Sequence, residues 1–262
     1  MKTMVMANQK GGVGKTANLV HLAFDFLERG LSVCVVDLDT QANASWTLKD
    51  YSSGYTASQL FDQSSEDIRE WFDDGVVSGP CIKLIESDAL LTNLTAFKPG
   101  DVSRIFRENV SALSEHGFDV LLIDTAPSLG HGMTAALVAA DFVLSPIEPE
   151  LYAVTGIKQM ITTIANIRQN NDPSLRNERL QFIGMVPSKI DRRSPRHTQN
   201  LAELDTRFPK MVAPISVGLR SSIAEAVAYG VPVWKIQKTA ARKAAKEVRA
   251  LADYVFNKME IA

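Results

Sequence analysis

The residues best suited to chemistry stand near the start of the chain, in Lys10-Gly11-Gly12-Val13-Gly14-Lys15-Thr16. Glycines at 11, 12 and 14 let the backbone bend tightly and aim its N–H groups at a single oxyanion. A lysine directly after the last glycine can reach phosphate oxygens, and a threonine hydroxyl after it suits a divalent cation. The spacing departs from the usual G-x-x-x-x-G-K-[ST] pattern, because Gln9 stands where the first glycine would be. A plain glycine turn with two surface lysines is the simpler meaning of such a stretch. It does not explain why a strand, the glycines, Lys-Thr and a helix all fall in register.

A phosphate cradle needs a carboxylate for its cation, set at the end of a nearby buried strand. Asp124 closes the apolar run Val120-Leu121-Leu122-Ile123 and fits that place, since a carboxylate beside such a run is costly unless it serves a charge. Asp37 and Asp39 close a second run, Val35-Val36-Asp37-Leu38-Asp39. Ligand sites of parallel sheets lie at the carboxyl ends of strands, so all three aspartates are expected at one face.

The elements that must hold these residues follow from hydrophobic spacing. Thr3–Ala7 reads as a strand, Lys15–Arg29 as a helix ending near Gly30, and Leu31–Val36 as a strand buried on both faces. Helices are expected over Asp101–His116, Gly132–Ala140 and Leu151–Gln169. Strands are expected over Asp119–Asp124, Phe142–Ile147, Phe182–Val186 and Met211–Ile215. That alternation predicts an α/β fold, a doubly wound and mostly parallel sheet with helices on both faces. Residues 50–98 are less regular and are read as an insertion or edge region with a helix around Trp71. No linker divides residues 1–262, so a single domain is expected.

With 45% hydrophobic residues the chain has material for a large core. A formal net charge of −2 gives no global field for nucleic acid, so any DNA surface must be local. No apolar run reaches the roughly 20 residues that span a bilayer, and Met1–Asn8 is too short for a signal peptide. Cys34 and Cys81 lack metal-ligand spacing; Cys34, inside an apolar run, reads as packing. Residues 235–258 carry a basic stripe. At helical spacing Lys238, Arg242, Lys246 and Arg249 share one face, while Ala241, Ala244, Val248 and Leu251 share the other. Such a face can contact phosphates without reading bases, although a solvated amphipathic helix is the commoner meaning. Lys189, Arg192, Arg193, Arg196 and Arg220 form further basic sets.

The K-G-G-x-G-K-T stretch resembles the deviant Walker A motif of the ParA/MinD family. Asp37-Leu38-Asp39-Thr40-Gln41-Ala42-Asn43 resembles that family's D-x-D-x-Q-x-N segment. Thr40 and Ala126 stand where the family usually has proline. The resemblance spans residues 2 to about 256, weakest over 50–98, and lies closest to ParA-type partition ATPases. It implies ATP and Mg²⁺ as cofactors, with Gly11, Gly12, Val13, Gly14, Lys15, Thr16 and Ala17 around the nucleotide. It also implies Thr16, Asp37 and Asp124 about the metal, and Asp39 on the attacking water. Lys10 would cross to the nucleotide of a second subunit, so that ATP drives a homodimer. Pro187, Lys189 and Pro214 fall in loops that face adenine in the family, and Pro146–Ala153 resembles the loop before its interface helix. The resemblance further implies non-specific binding of double-stranded DNA by Arg220, Lys238, Arg242, Lys246 and Arg249. A ParB-type centromere-binding protein would stimulate hydrolysis, in a cytoplasmic, nucleoid-associated setting with no membrane role. Because no helix-turn-helix precedes the first strand, operator-specific binding is not expected. A MinD-like membrane switch and a dethiobiotin-synthetase-like ligase are the alternatives with the same nucleotide fold. Cluster cysteines and a C-terminal tyrosine cluster, needed for two other related roles, are missing.

Overall fold

The computed structural model describes residues 1–72, 77–150 and 153–261. Among these, seven strands run β1 (Lys2–Met6), β2 (Ser32–Leu38), β3 (Ser52–Thr56), β4 (Cys81–Glu86), β5 (Val120–Thr125), β6 (Phe142–Ile147) and β7 (Gln181–Pro187). All pair in parallel, in the order β3-β4-β2-β5-β1-β6-β7. The helices are α1 (Lys15–Glu28), α2 (Asn43–Thr47), α3 (Gln59–Asp62), α4 (Ser65–Arg69), α5 (Pro99–Leu113), α6 (His131–Ala139), α7 (Ala153–Arg168), α8 (Pro195–Arg207), α9 (Ser221–Ala228) and α10 (Thr239–Lys258).

Central strands are continuous apolar runs because both faces are covered. Alternate residues then serve opposite cores. Met4, Met6, Val33, Val35, Val120 and Leu122 pack against α1, α9 and α10. Val5, Cys34, Val36, Leu121 and Ile123 face the layer that holds Phe61, Phe106, Met133 and Met160. Winding proceeds to one side of β1 through β2, β4 and β3, and to the other through β6 and β7. The loop after β1 therefore sits at the switch point, where parallel sheets place ligands.

Residues 50–98 do more than decorate an edge, since they supply β3 and β4 to the sheet. The helix expected around Trp71 stops at Arg69; Trp71 instead stacks on Tyr55, ring centroids 4.1 Å apart. The strand expected at Met211–Ile215 is a single bridge, Val212 to Met185, and Pro214, which has no N–H, ends the pairing. Leu151 and Tyr152, at the expected start of α7, lie outside the described residues. Helices α8 and α9 were not expected, although Ser194-Pro195, with the Ser194 hydroxyl capping the N–H of His197, is a helix-start signal.

Candidate active site at the carboxyl ends of the central strands

Chain direction at two glycines makes the loop between β1 and α1 possible. Gly12 (φ 73°) and Gly14 (φ 93°) adopt the left-handed region, and Gly14 caps α1 with no side chain in the way. The first N–H groups of α1 are thus open to an anion. Lys15 is buried in the first turn, and its ammonium donates to the carbonyl of Asn8 at 3.2 Å. Burial lowers its pKa, partly offset by Asp124 and Asp39.

The three aspartates converge as the strand ends require. Asp37 and Asp124 are register partners on β2 and β5, and Met6 of β1 is opposite Asp124 on its other side. Thr16 Oγ1 donates to Asp124 Oδ2 at 2.6 Å. Asp124 Oδ1 is buried without a hydrogen-bond partner among the described residues. Burial, followed by the nearby Asp37 carboxylate, pushes Asp124 up to about 8. Burial likewise raises Asp37, against the pull of hydrogen bonds from Ser45 and from the Asp39 N–H. Asp39 lies one residue past β2 and is 8% exposed.

Of these groups, Lys15, Thr16 and Asp39 border a cleft of about 480 Å³, whereas Asp37 and Asp124 are fully buried behind its lining. Its floor is Gly11, Gly12, Gly14, Lys15, Thr16, Ala17 and Asp39; its walls are Asn43, Trp46 and Thr47 on one side and Lys189 with α9 residues on the other. Val13 is buried beneath the loop, so only its backbone can serve the site. Of the expected adenine-loop residues, Lys189 lines the cleft, whereas Pro187 and Pro214 are not in its lining. Asn43 lies in the D-x-D-x-Q-x-N segment already singled out, whereas Trp46 and the α9 residues Ala224, Val227 and Ala228 are cleft residues that sequence reasoning missed; for Trp46 the signal available was its closeness to the aspartate segment.

The residues fit a divalent cation. A buried carboxylate oxygen without a partner, a raised pKa and an adjacent hydroxyl describe a place built for positive charge. Among the described residues no group of three or more His, Cys, Asp or Glu could hold a metal unaided. Thr16 and Asp124 are the kind of donors Mg²⁺ takes, one or two protein oxygens with phosphates and water completing its shell.

Lys10 is not in the cleft lining. Its ammonium pairs with Glu148 at 3.3 Å and Glu150 at 2.5 Å, with 46% of the side chain exposed. Burial acts to lower its pKa, but the two carboxylates outweigh it and hold it above an ordinary lysine.

The expected DNA residues divide. Arg220 is bound by Glu247, with Nη2 to Oε1 at 2.7 Å, and Lys238 by Glu225 at 2.7 Å. Arg249 pairs with Asp25 and Glu28 of α1 and lies over Trp234, 3.6 Å from the ring centroid. Arg242 and Lys246 are exposed, and among the described residues they form no ion pair.

A family model described as an AAA domain matches residues 1–177. "Protein IncC" of Escherichia coli is 59% identical over the whole chain, which covers 71% of that longer protein. "Chromosome-partitioning ATPase Soj" of Thermus thermophilus is 29% identical, over 95% of this chain and 96% of its own. Among solved structures, an ATP complex of a Cyanothece McdA variant superposes with a TM-score of 0.78 at 20% identity, covering 97% of this chain and 96% of that one. Cobyrinic acid a,c-diamide synthase of Mycobacterium smegmatis, with ADP and magnesium, gives 0.69 at 24% identity, covering 99% and 96%. At such identities the two structures carry the fold alone. The phosphate loop, its converging aspartates and these relatives lead to one conclusion: the chain belongs to the AAA-domain family of P-loop proteins and is a ParA-type partition ATPase.

Proposed function

We propose that the cleft binds ATP with Mg²⁺, that nucleotide binding pairs two copies of the chain, and that the pair holds DNA non-specifically until hydrolysis. The observation that carries this reading is the partnerless buried Oδ1 of Asp124 beside the Thr16 hydroxyl and near Lys15.

Glycine N–H groups and the start of α1 would receive the phosphates, and Lys15 would exchange the Asn8 carbonyl for a phosphate oxygen. Thr16 and Asp124 would hold the cation, with Asp37 behind them; when bound, it neutralises charge on the phosphates. Asp39 would orient the attacking water. Lys10 would leave Glu148 and Glu150 to reach the partner copy's nucleotide, where a cation stabilises transition-state charge as an arginine finger does.

DNA contact falls to Arg242 and Lys246, with the exposed Lys243 beside them. Arg220, Lys238 and Arg249 are assigned first to the ion pairs they make. Pairing doubles the number of neutralised phosphates, and each steepens the fall of log affinity with log salt by about 0.9. A ParB-type partner stimulating hydrolysis, and a nucleoid-associated location, complete the proposal. A membrane switch is disfavoured, because the apolar face of α10 (Val248, Leu251, Val255) and Met259 lie in the core. No helix among the described residues is long and apolar enough to cross a membrane.

The test is ATP turnover and solution mass with Mg²⁺, for the wild type, Lys10→Ala and Lys15→Ala. The proposal expects Lys15→Ala to lose nucleotide, and Lys10→Ala to bind it yet neither pair nor hydrolyse normally. Normal pairing of Lys10→Ala would remove the role of Lys10 in the partner's site.

A further inference from the structure

Asp39 stands on a loop, since β2 ends at Leu38. A loop carboxylate is only as well placed as the bonds that hold its backbone. The Asp39 carboxylate accepts the Gln41 N–H through Oδ1 at 3.0 Å, and its carbonyl accepts two bonds. One comes from within the loop, where the Ala42 N–H donates at 2.7 Å. The other comes from Ser87, the residue after β4, whose hydroxyl donates to the same carbonyl at 2.7 Å. The Ser87 N–H donates to Ser45 Oγ at 2.9 Å. Ser45 in turn donates its hydroxyl and its N–H to Asp37 Oδ2, each at 2.8 Å. Asp37 Oδ1 accepts the Asp39 N–H at 3.0 Å and closes the ring.

This ring of Asp37, Asp39, Ser87 and Ser45 ties the loop to β4, which is itself fixed by its pairing with β2 through Val36↔Ile85. Ser87 reaches no cleft lining, so it acts through the two aspartates. We propose that Ser87 is a positioning residue for ATP hydrolysis: it holds the Asp39 backbone where its carboxylate can orient the attacking water. The inference rests on the assignment of Asp39 to that water. Ser87→Ala removes the hydroxyl bond but keeps the N–H to Ser45, so the Asp37 side of the ring survives. Loss of one neutral hydrogen bond in a network corresponds to about a tenfold fall in rate at most.

The experiment measures ATP kcat, affinity for a slowly hydrolysed ATP analogue, and Tm, for the wild type, Ser87→Ala, Ser87→Thr and Asp39→Ala. The expected result is a kcat about three- to tenfold lower for Ser87→Ala, analogue affinity and Tm near wild type, and recovery in Ser87→Thr, which restores the hydroxyl. A Ser87→Ala enzyme within twofold of wild type, while Asp39→Ala is inactive, overturns the role of Ser87 alone. Equal losses of analogue affinity and kcat also overturn it, as a structural role would. Full turnover by Asp39→Ala overturns instead the assignment of Asp39 on which the inference stands.

Discussion

The Thr16 hydroxyl and the Asp124 carboxylate, 108 residues apart in sequence, meet at 2.6 Å. That one bond joins the first turn of α1 to the end of β5 and leaves the second Asp124 oxygen buried and, among the described residues, without a hydrogen-bond partner. A side chain in that state is poorly satisfied by the protein alone; a cation and a nucleotide complete it.

Asp124→Asn separates the binding role from the structural one. Asn retains an oxygen for the Thr16 hydroxyl and carries no charge, and burial already raises the pKa of the native carboxyl, so an uncharged side chain is tolerated there. Thermal stability without nucleotide should stay within about 1 kcal/mol of wild type, while Mg²⁺-supported turnover falls at least tenfold. Calorimetry and a phosphate-release assay measure the two.

Lys10 is held by two partly exposed carboxylates, and solvent-reached pairs of this kind contribute about 0–1 kcal/mol each. Glu148→Gln with Glu150→Gln should release the ammonium and, with both pairs lost, tighten ATP-dependent pairing by up to about thirtyfold. Sedimentation over a range of protein concentrations measures it, and weaker pairing would mean that the acids themselves serve the interface.

The basic face of α10 should split by mutation. Arg249→Ala strips a partner from Asp25, whose side chain is 0% exposed, and should cost about 2 kcal/mol of stability, with Arg29 still pairing with Asp25. Arg242→Ala and Lys246→Ala should leave stability within about 0.5 kcal/mol and, each being present twice in the pair, lower the salt slope of DNA binding by about 2. Denaturant titration beside DNA binding at several salt concentrations distinguishes the classes.

His21 predicts an acid limit away from the active site. Its Nδ1–H donates to the Ala17 carbonyl and its Nε2 accepts the Val233 N–H, so the buried ring is neutral. Burial brings it down to about 4, against a small rise from the Ala17 bond. With the folded value below the unfolded one, the native state binds fewer protons between them. Stability is then complete above about pH 6.5 and falls by roughly 3 kcal/mol as pH drops to about 4. Urea unfolding at pH 7, 5.5 and 4.5 should reveal that loss, and His21→Phe should flatten the slope while starting from lower stability.

Much of this was legible in the sequence for physical reasons. The phosphate loop and Asp124 could be read because glycines and a strand-ending carboxylate have few other uses in that order. The central strands could be read because burial on both faces demands unbroken apolar runs such as Val120–Ile123. The β3 strand, Ser-Ser-Gly-Tyr-Thr, carries no such run and is an edge strand by pairing alone. The fate of Arg249 was equally hidden, because its partners Asp25 and Glu28 lie more than 200 positions away on another helix. Helical spacing puts a charge on a face; only tertiary contact says whether that charge is already satisfied. Ser87 carries no motif: its value lies in one bond from its hydroxyl to the Asp39 carbonyl and one from its own N–H to the Ser45 hydroxyl.

The most direct test of the account is retention of non-specific duplex DNA by the chain with no nucleotide, ADP, ATP or a slowly hydrolysed ATP analogue, at two salt concentrations. The account predicts salt-sensitive retention with ATP and its analogue only, lost in Lys15→Ala. Equal retention in every nucleotide state, or none in any, would contradict it.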